Sequence, residues 1–207
     1  MVESIGDAAS LRDESHPVEV VSSERAFAGK VWDIRRETFR YGDGEVVREF
    51  VDHTGAVAVL ALDADERVLL IQQYRHPICA RDWEIPAGLL DVAGEPLLDA
   101  AKRELAEEVD LEAGDWSVLA DLRTSPGGSD EFVRIYLARD LRGTAVAFER
   151  EAEEVDIVIR WVPLDDMVAA IAAGAVNNAI LITAALAAFA SRAGGWSSLR
   201  DVDPLDI

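Results

Sequence analysis

Arg103-Glu104-Leu105-Ala106-Glu107-Glu108, with Glu95 eight residues before Arg103 and Gly88 seven before that, is the stretch from which the rest of the chain can be read. Glu104 and Glu108 are four apart and Glu104 and Glu107 three apart, so on a helix their carboxylates are neighbours on one face. Like charges so placed cost a helix about 0.2–0.5 kcal/mol per pair. Helix stability therefore does not select them. A divalent cation among the carboxylates reverses the sign of that cost, and an all-oxygen donor set suits Mg²⁺, with Mn²⁺ possible.

Outward from this run, Pro96 fits a first helical turn, and Leu97, Leu98, Ala101, Leu105 and Val109 give an apolar stripe at helical spacing. Upstream, three β-prone stretches lie at 18–28, 31–40 and 46–52, with Tyr41-Gly42-Asp43-Gly44 as a hairpin signal. Gly55–Leu62 and Val68–Tyr74 are continuous apolar runs, the pattern of strands covered on both faces. Asp82–Pro86 reads as short and extended, followed by a loop from Ala87 to Glu95. Downstream, Ser117–Leu122, Phe132–Ala138 and Val155–Val162 read as strands, and Leu164–Ala173 and Asn177–Ser191 as helices, the latter ended by Gly194. The expected fold class is α/β (α+β), a mixed sheet with helices on its faces.

The expected organisation is a tail over 1–16, an N-terminal β-sheet region over 17–54, a main domain over 55–194 and a C-terminal tail over 195–207. The 207 residues carry 40 acidic and 20 basic side chains, a net charge of −20, which leaves no basic face to displace counterions from nucleic acid. A chain this acidic approaches a polyanionic substrate only where local arginines and bound metal invert the field. Cys79 is the only cysteine, so no intrachain disulfide can form and a reducing compartment is the default. The longest apolar run, Ala179–Ala190, spans 12 residues and is too short to cross a bilayer. The start is acidic and polar, unlike a signal peptide, and the expected location is cytoplasmic, with no membrane or nucleic-acid partner.

The spacing Gly88-x6-Glu95-x7-Arg103-Glu104-Leu105-x-Glu107-Glu108-x-x-Leu111 closely resembles the box of the Nudix hydrolase family, whose members cleave nucleoside diphosphates linked to another moiety. The chain departs twice from the usual form. It has six residues, where five are usual, between Gly88 and Glu95, and Asp110 stands where glycine is expected. Neither departure removes a carboxylate, and Asp tolerates a left-handed helix end. The resemblance implies an α/β/α sandwich with an added N-terminal antiparallel sheet. It also implies that Glu104, Glu108 and the backbone carbonyl of Ala87 hold the metal, with Glu107 as an outer or second-metal ligand. Arg103 would orient the carboxylates, and Glu95 would brace the loop that begins at Gly88. Metal suits the chemistry because it neutralises a diphosphate and lowers the pKa of water.

Features outside the box are similar to the ADP-ribose pyrophosphatase branch. They are Gln73-Tyr74-Arg75, Trp83-Glu84-Ile85-Pro86-Ala87-Gly88, and Ser125-Pro126-Gly127-Gly128-Ser129-Asp130-Glu131, with Pro126 sixteen residues past Asp110. By that resemblance Arg75 would hold a phosphate or the terminal ribose, as a planar guanidinium does well. Leu89 belongs to the same substrate set. Pro126, Gly127 and Glu131 would contact ribose and diphosphate, and Arg48 and Glu49 would reach a substrate in a partner subunit of a homodimer with exchanged N-terminal strands. Trp32 is the candidate for stacking on adenine, with a core or interface tryptophan as the alternative. The general base is sought in the acidic run before the last strand, at Glu154 and then Glu153. His53, His76 and Cys79 sit at no catalytic spacing and read as structural or inert.

The function implied is Mg²⁺-dependent hydrolysis of ADP-ribose, a small-molecule nucleoside diphosphate sugar, to AMP and ribose 5-phosphate. The rivals are the same chemistry on a GDP-sugar or NADH, and a non-catalytic ADP-ribose sensor. The sensor is disfavoured because every box carboxylate is present. A regulator built on such a domain would need a helix-turn-helix or a basic patch, and neither is in the sequence.

Overall fold

The computed structural model describes residues 11–148 and 156–202. The chain divides into two compact units, Met1–Val51 and Asp52–Ile207.

The N-terminal unit is a three-stranded sheet in the order β1-β2-β3, formed by β1 (Val20–Phe27), β2 (Asp33–Tyr41) and β3 (Gly44–Asp52). Strands β1 and β2 run antiparallel, and Gly42 supplies the positive φ of +60° in the turn that leads to β3. Arg36 at the centre of β2 pairs with Glu24 on β1 at 3.0 Å and with Glu49 on β3 at 2.9 Å, a charge ladder across the sheet. Every residue of β1 is exposed, and Val20, Val21, Phe27, Val47 and Tyr41 are large apolar side chains left open.

In the second unit the elements are β4 (Ala56–Ala61), β5 (Arg67–Arg75), β6 (Ala80–Glu84), β7 (Ala87–Leu89), α1 (Leu97–Val109), β8 (Leu111–Arg123), β9 (Phe132–Gly143), β10 (Val158–Pro163), α2 (Leu164–Ala172) and α3 (Ala179–Ala193). They make a four-stranded sheet β7-β4-β9-β8, with β4 parallel to β9, and an antiparallel sheet β10-β5-β6. The two apolar runs are both strands, as their pattern predicts. They belong to different sheets, bridged at Leu62 and Val68, and they share both cores.

Strand β4 explains why its run is apolar throughout: all six residues are buried. Its side chains alternate between two cores. Ala56, Ala58 and Leu60 pack with Leu164 and Met167 of α2 and Leu181, Ala184, Ala185 and Ala188 of α3. Val57, Val59 and Ala61 pack with Ala100, Ala101, Leu105 and Val109 of α1. Helices thus cover both faces, the layered arrangement expected.

Three expectations need correction. The loop predicted over Ala87–Glu95 opens with a strand, because the edge of buried β4 must be paired: Ala56 faces Leu89, Val57 faces Gly88 and Ala58 faces Ala87. Pro96 caps α1 from an extended conformation and does not lie inside its first turn. The last strand begins at Val158 and runs to Pro163; Val155 lies outside the described residues. Beyond α3, Arg200 exchanges backbone hydrogen bonds with Val118 of β8 at 2.9 and 3.2 Å and reaches Asp121 at 2.9 Å. Residues 195–202 are therefore tied to the sheet.

Candidate active site

Helix α1 buries one stripe and turns the other toward β7, and the box residues meet along that line. Arg103 is the hub. Its Nε and Nη2 donate to the two oxygens of Glu95 at 3.1 and 3.0 Å, and its Nη1 donates to Glu104 and, at 3.2 Å, to Glu107. The fork to Glu95 is the largest cause holding the Arg103 guanidinium protonated beyond its ordinary range; it is opposed by partial burial and reinforced by Glu104 and Glu107. The same bond holds the Glu95 carboxyl below its usual range.

Gly88 is required for a steric reason. A Cβ there would lie 2.0 Å from the Cδ and Oε1 of Glu104, so the carboxylate occupies the space a side chain would need. Glu108 is buried, 4% exposed, and accepts the backbone N–H of Ala87 at 3.0 Å. A buried carboxylate with a directional donor beside it is an expensive arrangement for stability alone. At the helix end Asp110 takes the left-handed conformation at φ +56°, as expected for a residue standing in for glycine. Its carboxylate accepts the N–H of Phe148 at 2.7 Å and its carbonyl accepts that of Thr144 at 3.0 Å.

A second cluster lies along the β5–β6 pair. Arg75 directs Nε and Nη2 at the two oxygens of Glu84, each at 2.7 Å, and Glu84 is 6% exposed. Gln73, also buried, reaches the same carboxylate at 3.4 Å. Arg75 is held protonated above its ordinary range chiefly by the bond to Glu84, against burial, and further by the charges of Glu84, Glu108 and Asp82. The field of the box thus extends to Arg75.

The third element is the loop between β8 and β9. Ser125 accepts the N–H groups of Gly128 and Ser129 at 2.9 and 3.0 Å, which sets the Pro126-Gly127 turn. Glu131 bonds the Thr124 hydroxyl, and its N–H donates to Ser129 Oγ at 3.1 Å. Leu89 is half-buried and packs on the core shared with α2 and α3.

The structure therefore brings together Ala87, Gly88, Glu95, Arg103, Glu104, Glu107 and Glu108, and places Arg75 within their field. Trp32, Arg48 and Glu49 belong to the N-terminal unit: Trp32 is half-buried, Arg48 donates to the carbonyl of Val47 at 2.8 Å, and Glu49 holds Arg36. Glu153 and Glu154 lie outside the described residues. Sequence reasoning missed Glu84 as a site residue. The signal was available: a carboxylate between Trp83 and Ile85, on a strand paired with the one that ends in Arg75.

Residues 52–183 match the NUDIX domain family. The chain belongs to that family. It is 45% identical over 180 residues to the ADP-ribose pyrophosphatase of Mycobacterium tuberculosis, covering 86% of each chain. It is 36% identical over 148 residues to the ADP-ribose pyrophosphatase of Bacillus subtilis, covering 70% of this chain and 78% of the other. Among solved structures, an ADP compounds hydrolase superposes with a TM-score of 0.73 at 22% identity, covering 89% and 98% of the two chains, which shows a shared fold.

NUDIX members of this kind work with divalent metal, and the residues here fit one. The donors are hard carboxylate oxygens, and Glu104 packs against a glycine cradle. Among the described residues no three acidic side chains converge as a finished cage. Arg103 bonds Glu104 and Glu107, while the Ala87 N–H donates to Glu108.

Proposed function

We propose that this chain hydrolyses the diphosphate of ADP-ribose to AMP and ribose 5-phosphate with Mg²⁺, Mn²⁺ being the alternative. The observation that carries the chemistry is the buried Glu108 one helical turn from Glu104, whose own carboxylate fills the space a side chain at Gly88 would need. The choice of ADP-ribose is supported by the two relatives that carry that name, the first along 86% of its length.

In this reading Glu104, Glu108 and the Ala87 carbonyl hold the metal and Glu107 serves an outer position. When bound, metal screens the diphosphate charge and acidifies water. Arg103 keeps Glu104 and Glu107 in place through a single planar fork that is itself fixed by Glu95. Arg75 binds a phosphate: with Nε and Nη2 on Glu84, it offers Nη1 to an anion. Pro126, Gly127 and Glu131 meet the ribose and diphosphate, with the backbone at Leu89 beside them. Glu154, or Glu153, takes the proton from the attacking water.

Arg48 and Glu49 would reach the substrate of a neighbouring copy in a homodimer that exchanges N-terminal strands within residues 17–54, and Trp32 would stack on adenine. The open apolar side chains of β1 support that reading. No helix among the described residues is long and apolar enough to cross a membrane, and the cytoplasm is the proposed location.

The test is product analysis on ADP-ribose, NADH, GDP-mannose and nucleoside triphosphates, with and without Mg²⁺. Metal-dependent release of AMP and ribose 5-phosphate, at the highest kcat/KM of the panel, is expected. Preference for GDP-mannose or NADH would move the chain to the neighbouring substrate class, and tight ADP-ribose binding without turnover would make it a sensor.

A further inference from the structure

His53 stands at no motif spacing, yet it meets two consecutive residues of the substrate-side loop. Its backbone N–H donates to Asp130 Oδ1 at 2.8 Å. Its ring is nearly buried, with a side chain 7% exposed, and its Nε2 lies 3.4 Å from Glu131 Oε1. The other ring nitrogen, Nδ1, accepts the N–H of Gly55 at 2.9 Å. A nitrogen that accepts an N–H carries no proton, so the neutral ring is the Nε2–H tautomer, with its donor aimed at Glu131.

Gly55 in turn gives its carbonyl to the N–H of Leu90 at 3.1 Å, two residues past the box glycine. It holds a positive φ of +85°, and a Cβ there would press on Leu90 Cδ1 at 3.2 Å. The segment 53–55 therefore joins two loops, the one carrying Glu131 and the one that opens the box. Among the described residues the other bonds of Glu131 are local: Thr124 bonds its carboxylate and Ser129 accepts its N–H. Those fix it to its own loop. Among the described residues, the contact with His53 is what ties its carboxylate to the β4 side of the site.

We propose that His53 is a positioning residue that sets the Glu131 carboxylate, through its Nε2–H, at the distance from the box that the bound nucleotide requires. It touches neither substrate nor metal and acts through Glu131. The inference rests on the reading of Glu131 as a substrate contact, and its consequence is specific. Loss of the contact weakens binding held equally in the ground and transition states, so KM rises while kcat stays nearly constant.

Two near-isosteric variants separate the ring's two bonds. An asparagine carbonyl overlays Nδ1 and keeps the Gly55 bond; a glutamine amide nitrogen overlays Nε2 and keeps the Glu131 contact. His53→Asn is expected to raise KM for ADP-ribose roughly tenfold with kcat within about threefold of wild type. His53→Gln is expected to return KM to within about threefold of wild type. Unchanged KM in His53→Asn, or equal losses in both variants, would overturn the proposal in favour of a structural role. A readout independent of turnover is the imidazole ¹⁵N spectrum of the full chain. It should show protonated Nε2 and bare Nδ1, with the Nε2 signal displaced in Glu131→Gln; a protonated Nδ1 or an unmoved signal sinks the claim. If the wild type cleaves no ADP-ribose, the functional reading fails by itself, and the ¹⁵N result still decides the positioning.

Discussion

Arg103 on α1 shares one guanidinium among Glu95, Glu104 and Glu107, whereas Arg75 at the end of β5 directs two donors at Glu84 alone. In the first region carboxylates outnumber the cation, and Glu108 adds another a turn further on. A divalent cation held there would offset that surplus of negative charge. In the second region the charges match, and one face of the guanidinium stays directed outward. A diphosphate bound to metal needs both conditions at once: acidic groups to hold the metal, and a cationic donor that those acidic groups have not captured. Glu84 supports the second condition by fixing two donors of Arg75, which also feels the charge of Glu108.

Removing a carboxylate from the first region is the strongest way to break this contrast. Glu108→Gln keeps the shape and an acceptor for the Ala87 N–H but deletes the charge. We expect kcat to fall by on the order of 10³-fold, with circular dichroism unchanged. Near-normal turnover would remove Glu108 from the metal set. Gly88→Ala leaves every charge in place and pushes Glu104 aside instead, since the new Cβ falls 2.0 Å from its carboxyl carbon. A displacement on that scale costs about 10²-fold in turnover, and isothermal titration should show weaker Mn²⁺ uptake. If the affinity for Mn²⁺ stays at the wild-type value, the glycine serves only the strand.

In the second region the effect is smaller and of another kind. Glu84→Gln loosens Arg75 without removing it. KM should rise about tenfold while kcat changes little, the loss of one charge-assisted bond. A fall in kcat of the same size as the rise in KM would place Arg75 on the developing transition-state charge instead.

Much of the first region was legible because helical spacing is fixed: residues three and four apart must meet, whatever the rest of the chain does. Gly88 was legible as a position, and its reason, the space taken by Glu104, needed coordinates. The strand over Ala87–Leu89 was not legible, since three residues are too few to carry a period and the edge of β4 is what demands a partner. Glu84 and His53 were hidden because their partners lie across a hairpin and across 78 residues, respectively. Strand register and loop closure decide such meetings, and neither is written in local spacing.

The acid side of the stability curve sharpens the comparison further. Arg103 holds the folded-state pKa of Glu95 below its unfolded value. A depressed carboxylate contributes stability above its unfolded pKa and loses it as pH falls through the folded one. Glu95→Gln should therefore lower the melting temperature at neutral pH and converge with wild type below the ordinary carboxylate range of about 4. Parallel curves at all pH values would mean that the Glu95–Arg103 pair is not a source of acid sensitivity.

The smallest effect belongs to the residue that departs from the usual box. Asp110→Gly releases a side chain from a left-handed conformation, at φ +56°, where glycine is at ease. That gain is about 1 kcal/mol for a residue as tolerant of the region as Asp. The same change deletes the carboxylate that accepts the Phe148 N–H at 2.7 Å, an exposed bond whose loss costs about 1 kcal/mol. The two nearly cancel, so thermal unfolding should shift by less than about 3 °C. Hydrogen exchange separates the terms that the melting temperature hides. The Phe148 amide should lose protection in the variant while the amides of α1 keep theirs. Protection retained at Phe148 would show that the backbone bond from Thr144 to the Asp110 carbonyl is enough to hold that segment.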